Sequence, residues 1–112
     1  MVKSPFDFIL EHDELGIGFL DLKTIATKKF PVALIKPHQM RILDRLSKNN
    51  IAGFLVWFRK VDRVVFFRAD YAIKSAQLVM EDGLDIGDLS NMDLKKLMSS
   101  RNSPDGNTPS EP

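Results

Sequence analysis

The chain has 112 residues, of which 44% are apolar and 28% charged, with a formal net charge of +1. That length and balance suit one small folded domain and exclude an intrinsically disordered chain. The absence of cysteine excludes disulfides and thiolate metal sites, and no run of about 18 apolar residues is present to cross a membrane.

Pro5–Leu10 reads as a first strand, with Phe6, Phe8 and Leu10 on one face and Asp7 and Ile9 on the other. Glu11-His12-Asp13-Glu14 is the expected turn of an antiparallel hairpin whose second strand is Ile17–Thr24. Residues 26–36 read as an irregular loop carrying Lys28-Lys29 and Phe30-Pro31-Val32. Pro37 suits the first position of a helix that reaches about Lys48, because its missing N–H costs nothing there. Met40, Leu43 and Leu46, with Ile42 beside them, give that helix an apolar stripe; Arg41, Arg45 and Lys48 give it a basic one. Ile51–Phe58 is apolar on both faces, as a central covered strand is, and Trp57 is read as core. A turn at residues 59–63 leads to a strand over Val64–Arg68. The pattern then predicts a helix over Tyr71–Glu81, capped by Asp70 and closed by Gly83. A short last helix is expected over Asn91–Met98, with Ser90 and Asp93 as an approximate capping box. Ser99–Pro112, rich in Ser, Pro, Asn and Gly, reads as a disordered tail after a domain over residues 1–98. The order strand, strand, helix, strand, strand, helix predicts an α/β or α+β domain with a mixed sheet flanked by helices.

The small net charge hides an uneven distribution. Residues 22–74 hold twelve Lys or Arg and only three Asp, while the acids gather toward both ends. A basic middle suits a polyanion partner, and equally an ordinary solvated surface. The amino terminus lacks the apolar run of a signal peptide, so the expected location is the cytoplasm.

The chemistry-bearing residues gather around the second strand. Asp21 and Lys23, two apart, project from one face of it. A carboxylate and an ammonium on a buried strand are costly unless they are paired or bind something. Asp7 on the preceding strand can face Asp21 in one register of the hairpin, and Gln39 falls in the first turn of the following helix. Two carboxylates on neighbouring strands suit a hard cation such as Mg²⁺, with Mn²⁺ as the alternative and the Gln39 amide oxygen as a further ligand. A lysine beside the cation could orient or deprotonate a water and offset charge during phosphodiester hydrolysis. The competing readings are a plain Asp21–Lys23 salt bridge and a surface role for Asp7; two separate histidines, His12 and His38, do not make a zinc site.

Asp7 followed by Asp21-Leu22-Lys23 resembles the PD-(D/E)xK nuclease pattern. A longer stretch is similar to RecU-type Holliday junction resolvases, members of that superfamily. Its matching segments are Phe19-Leu20-Asp21-Leu22-Lys23-Thr24, then Phe30-Pro31-Val32, then His38-Gln39 at a helix start. Ile51-Ala52-Gly53-Phe54-Leu55-Val56 and Val65-Phe66-Phe67-Arg68-Ala69-Asp70 are similar to the next two strands, so that the resemblance spans Pro5 to Lys74. It implies a small restriction-endonuclease-like core and metal-dependent cleavage of branched DNA during recombination or repair, usually by a homodimer. On this resemblance Asp7 and Asp21 are metal ligands, Lys23 is the catalytic lysine and Gln39 is a further metal-site residue. The basic candidates for DNA contact are Lys28, Lys29, Lys36, Arg41 and Arg45. Three departures stand out: Asp21 replaces the usual Glu, Pro5 stands where the family commonly has Thr, and the six residues before Asp7 hold no counterpart of the family's N-terminal helix. Three functions are therefore carried forward: a Mg²⁺-dependent junction endonuclease, a nuclease-fold DNA-binding protein that no longer cuts, and a small interaction protein with an incidental Asp-x-Lys.

Overall fold

The computed structural model describes residues 8–12 and 16–99. The hairpin is present as strands β1 (Phe8–His12) and β2 (Gly16–Ile25), antiparallel with Phe8 opposite Leu20 and His12 opposite Gly16. β1 thus runs through Glu11 and His12, which the sequence assigned to the turn. β2 extends one residue further at each end than expected, and Asp21 lies in mid-strand. Asp7, Phe6 and the C-terminal segment from 100 to 112 lie outside the described residues.

β2 continues into β3 (Lys29–Pro31), a 3-10 turn at Val32–Leu34 and helix α1 (Pro37–Leu46), with Pro37 in the first helical position. The chain returns as β4 (Ile51–Phe58), parallel to β2, with Asp21 beside Phe54 and Lys23 beside Val56. A parallel pair needs such a crossover, and residues 26–50 supply it. β5 (Arg63–Arg68) then pairs antiparallel with β4. The apolar run of Ile51–Phe58 therefore marks an inner strand, with all but Trp57 buried.

The expected helix over Tyr71–Glu81 is not what forms. Helix α2 spans only Ala69–Ala72, and the segment after it supplies β6 (Gln77–Val79), a 3-10 turn at Met80–Asp82 and β7 (Leu84–Asp85). Asp70 sits inside the first turn of α2 rather than capping it, and the cap position is Arg68. β6 pairs with β3, which brings Leu78 opposite Phe30, both buried. Gly83 closes no α-helix; it is the C-cap of the 3-10 turn at Met80–Asp82. A Cβ there would run into the Val65 and Phe67 side chains and the Phe66 carbonyl, so its role is to let the chain cross β5 closely. The last helix, α3 (Leu94–Ser99), starts three residues later than expected, because Asp93 accepts the backbone N–H of Lys96 at 3.0 Å and caps it.

Among the described residues the strands make a five-stranded mixed sheet, β1-β2-β4-β5-β7, and a two-stranded sheet, β3-β6. The fold is mixed α+β. One face of the large sheet carries Phe54, Val56, Phe58, Val65 and Phe67 against Met40 and Leu43 of α1, with Phe30, Ala72 and Leu78. The other carries Leu20, Ile51, Leu55, Val64 and Phe66 against Ile86, Leu97 and Met98. No helix of the described residues is long and apolar enough to cross a membrane.

Candidate active site

Alternation along β2 places Phe19, Asp21, Lys23 and Ile25 on the α1 face; Phe19 and Ile25 pack against the core there. Asp21 is consequently a carboxylate inside an apolar layer, 3% exposed. Its Oδ2 meets the Lys23 ammonium at 2.8 Å; the side chains are 4% and 24% exposed respectively. The strand pleat explains the meeting, since residues two apart lie side by side on one face. Asp21 is the one buried acidic or basic side chain among the described residues, and burial without that partner would be expensive.

Because α1 connects two parallel strands, its N-terminus lies at the end of the sheet where β2 and β4 finish. Gln39 is in that first turn, half-buried, and its Oε1 is buried like Asp21 Oδ2. Lys36 occupies the cap position of α1 and is exposed. Lys28 and Lys29 are exposed where the chain leaves β2, so the structure gathers three of the five basic candidates at this end of the sheet. Arg41 and Arg45 continue along the solvent side of α1, opposite buried Met40 and Leu43. Arg63 and Arg68 are committed elsewhere: Arg68 holds Asp70 at 3.0 Å and reaches the Ser47 carbonyl at 3.4 Å, tying the end of α1 to α2. His38 is exposed, and Trp57 is part-buried with its indole N–H donated to Asp62.

Two further residues border this face. Ile9 pairs with Phe19 and Ile17 with Glu11, so both isoleucines point to the side of Asp21, yet they are 56% and 37% exposed. Hairpin alternation already carried that signal for Ile17, which is four residues from Asp21 on one strand.

The donors described, one carboxylate and one amide oxygen, are hard oxygen ligands that suit Mg²⁺ or Mn²⁺, cations that keep several waters and share substrate phosphates. Among the described residues no group of three His, Cys, Asp or Glu is placed to hold a metal; Asp7 lies outside them. Comparison with protein-family models, with curated proteins and with solved structures found no match to this chain.

Proposed function

We propose that this protein is a divalent-cation-dependent DNA endonuclease of the PD-(D/E)xK kind, acting as a homodimer on branched, four-way DNA. The observation that carries the reading is the Asp21–Lys23 pair, a buried acid and a part-exposed lysine on an inner strand, at 2.8 Å. An antiparallel hairpin feeding a parallel crossover supports it, because that topology sets the pair and the first turn of α1 on the same side of the sheet. The described hairpin begins with Phe8 opposite Leu20; Asp7, the second acid of this reading, lies outside the described residues.

In this reading Asp7, Asp21 and the Gln39 amide oxygen would hold the cation, which would supply Lewis-acid polarisation of the scissile phosphate. Lys23 Nζ orients the attacking water and offsets charge that builds on the phosphoryl oxygens. Lys28, Lys29, Lys36, Arg41 and Arg45 neutralise backbone phosphates. Five such contacts give log K against log salt a slope of about −4 to −5, and Arg45→Ala should reduce it by about 1.

The deciding experiment cleaves a labelled four-way junction and a matched linear duplex with Mg²⁺, Mn²⁺ or EDTA, alongside Asp21→Asn. Cation-dependent cutting of the junction, reduced at least about 100-fold in the variant, is the expected result. Folded protein that binds the junction without cutting would make it a silent nuclease-fold DNA-binding protein. Neither binding nor cutting would leave an interaction protein.

A further inference from the structure

The turn between β4 and β5 carries two cations that the nuclease reading does not use. Arg59 and Lys60 are both exposed at its start. The Arg59 N–H donates to the Ile25 carbonyl at 3.0 Å, which ties the turn to the last residue of β2. Exposed Lys28 and Lys29 follow within four residues of Ile25, in a bend that Thr27 pins by donating its hydroxyl to the Lys29 carbonyl at 2.9 Å. Two pairs of cations thus leave neighbouring parallel strands at one end of the sheet, where Phe58 lies beside Ile25. None of the four is in an ion pair among the described residues. The β4–β5 turn does contain an acid, Asp62. Its backbone takes a positive φ of 51°, and its Oδ1 accepts the Trp57 indole N–H at 2.9 Å and the Leu89 N–H at 3.4 Å. That carboxylate is engaged within the fold rather than with Arg59 or Lys60.

Like charges gathered in this way repel one another, and an anion that spans them relieves the repulsion. Four cations on long stems, spread over two turns, suit a row of anions rather than a single small one. Arg59 adds a planar fork that can hold two phosphate oxygens at once. Lys36 and Arg41, exposed at the start of α1, continue the row from the same end of the sheet. Val61 is the one large apolar side chain exposed in these two turns, too little to enter a bilayer, so the surface favours a nucleic acid over a lipid. We propose that Arg59 and Lys60, with Lys28 and Lys29, form a docking surface for the phosphodiester backbone of a nucleic-acid duplex, DNA or RNA. The surface works without a divalent cation and without cleavage. It raises the phosphate contacts from five to seven, so the wild-type slope of log K against log salt should be about −6.

The test is binding of the full chain, in EDTA, to labelled DNA and RNA duplexes of one sequence over about 0.05–0.2 M salt. The double variant Arg59→Gln with Lys60→Gln should bind at least about tenfold more weakly than wild type at the lowest salt, and its slope should shrink by about 2. Arg59→Lys, which keeps the charge, should keep the slope. Lys95→Gln with Lys96→Gln removes the same charge from α3, which packs on the opposite face of the sheet from α1, and should leave the slope unchanged. Binding of either duplex on these terms supports the surface, and the tighter one names the source of the backbone. An unchanged slope in the Arg59 and Lys60 variant would overturn the proposal, and so would an equal loss in the α3 variant, which would reduce the effect to net charge. Wild type that binds neither duplex, or binds vesicles of phosphatidylserine and phosphatidylcholine instead, would overturn it too. Circular dichroism establishes folding; should the double variant not fold, Lys60→Gln alone decides, with a slope change of about 1 expected and none overturning. A duplex held through Arg59 and Lys60 but never cut once Mg²⁺ or Mn²⁺ is restored would end the nuclease reading and leave this surface standing. Cutting with the slope unchanged in the variant would do the reverse.

Discussion

Two ion pairs in this protein have the same length and opposite character. Asp21–Lys23 on β2 and Asp85–Arg63 between β7 and β5 each close at 2.8 Å. The first is two residues apart on an inner strand, with its carboxylate 4% exposed; the second joins residues 22 apart at the sheet edge, with both side chains more than 40% exposed. The edge pair also has help: Gly87 donates its N–H to Asp85, and Lys96 of α3 reaches the Asp85 carbonyl. Distance alone says nothing about what either pair does. A carboxylate buried without a partner is costly, so Asp21 depends on Lys23 as an exposed acid would not. An exposed pair is matched by water when it breaks, which makes it a modest fastener.

Substitution separates the two pairs, with the largest effect at Lys23→Met. Removing the ammonium strands a buried carboxylate, and urea unfolding without metal should show a loss toward the lower end of about 3–5 kcal/mol, since Lys23 keeps one side in water. Asp21→Asn should cost clearly less by the same measurement, because the freed lysine turns to solvent; an equal or larger loss would mean that Lys23 is as captive as Asp21. Next comes Asp93→Ala, which removes the cap of α3 and should cost about 1 kcal/mol, with Lys96 less firmly held on Asp85. Smallest is Asp85→Asn, below about 1 kcal/mol and fading in about 1 M salt, where the β2 pair should persist.

Acid sharpens the same contrast. The Arg63 guanidinium, through its hydrogen bond above all, holds the Asp85 carboxyl below the usual aspartate value, with the Gly87 N–H helping. A depressed folded pKa stabilises the protein above the unfolded value and is lost as pH falls through the folded one. The difference in thermal midpoint between wild type and Asp85→Asn should therefore be constant near neutrality and close below about pH 4.

Much of the molecule was legible in the order of residues. The apolar run of Ile51–Phe58 announced an inner strand, the Met40–Leu43 stripe announced the buried side of α1, and the two-residue spacing announced that Asp21 and Lys23 share a face. The segment after Arg68 was not legible. Tyr71–Glu81 has helical spacing, yet Leu78 is buried by pairing with Phe30 across β3 and β6, a three-residue ladder with no local signature. Gly83 looked like a helix stop and is instead a clearance over Val65 and Phe67. Asp85–Arg63 was equally invisible, since β7 is two residues long and reaches β5 only through that misread segment.

Side-chain period alone was enough to place β1, β2, β4, β5 and α1, to say which of their residues face inward, and to set an acid and a lysine side by side. The environment of that pair comes from tertiary packing alone. The parallel docking of β4 and the cover of α1 take Asp21 out of water and leave Lys23 partly in it. Burial depends on neighbours brought from distant positions, and it is burial, not spacing, that turns a common triplet into a charge in need of a partner.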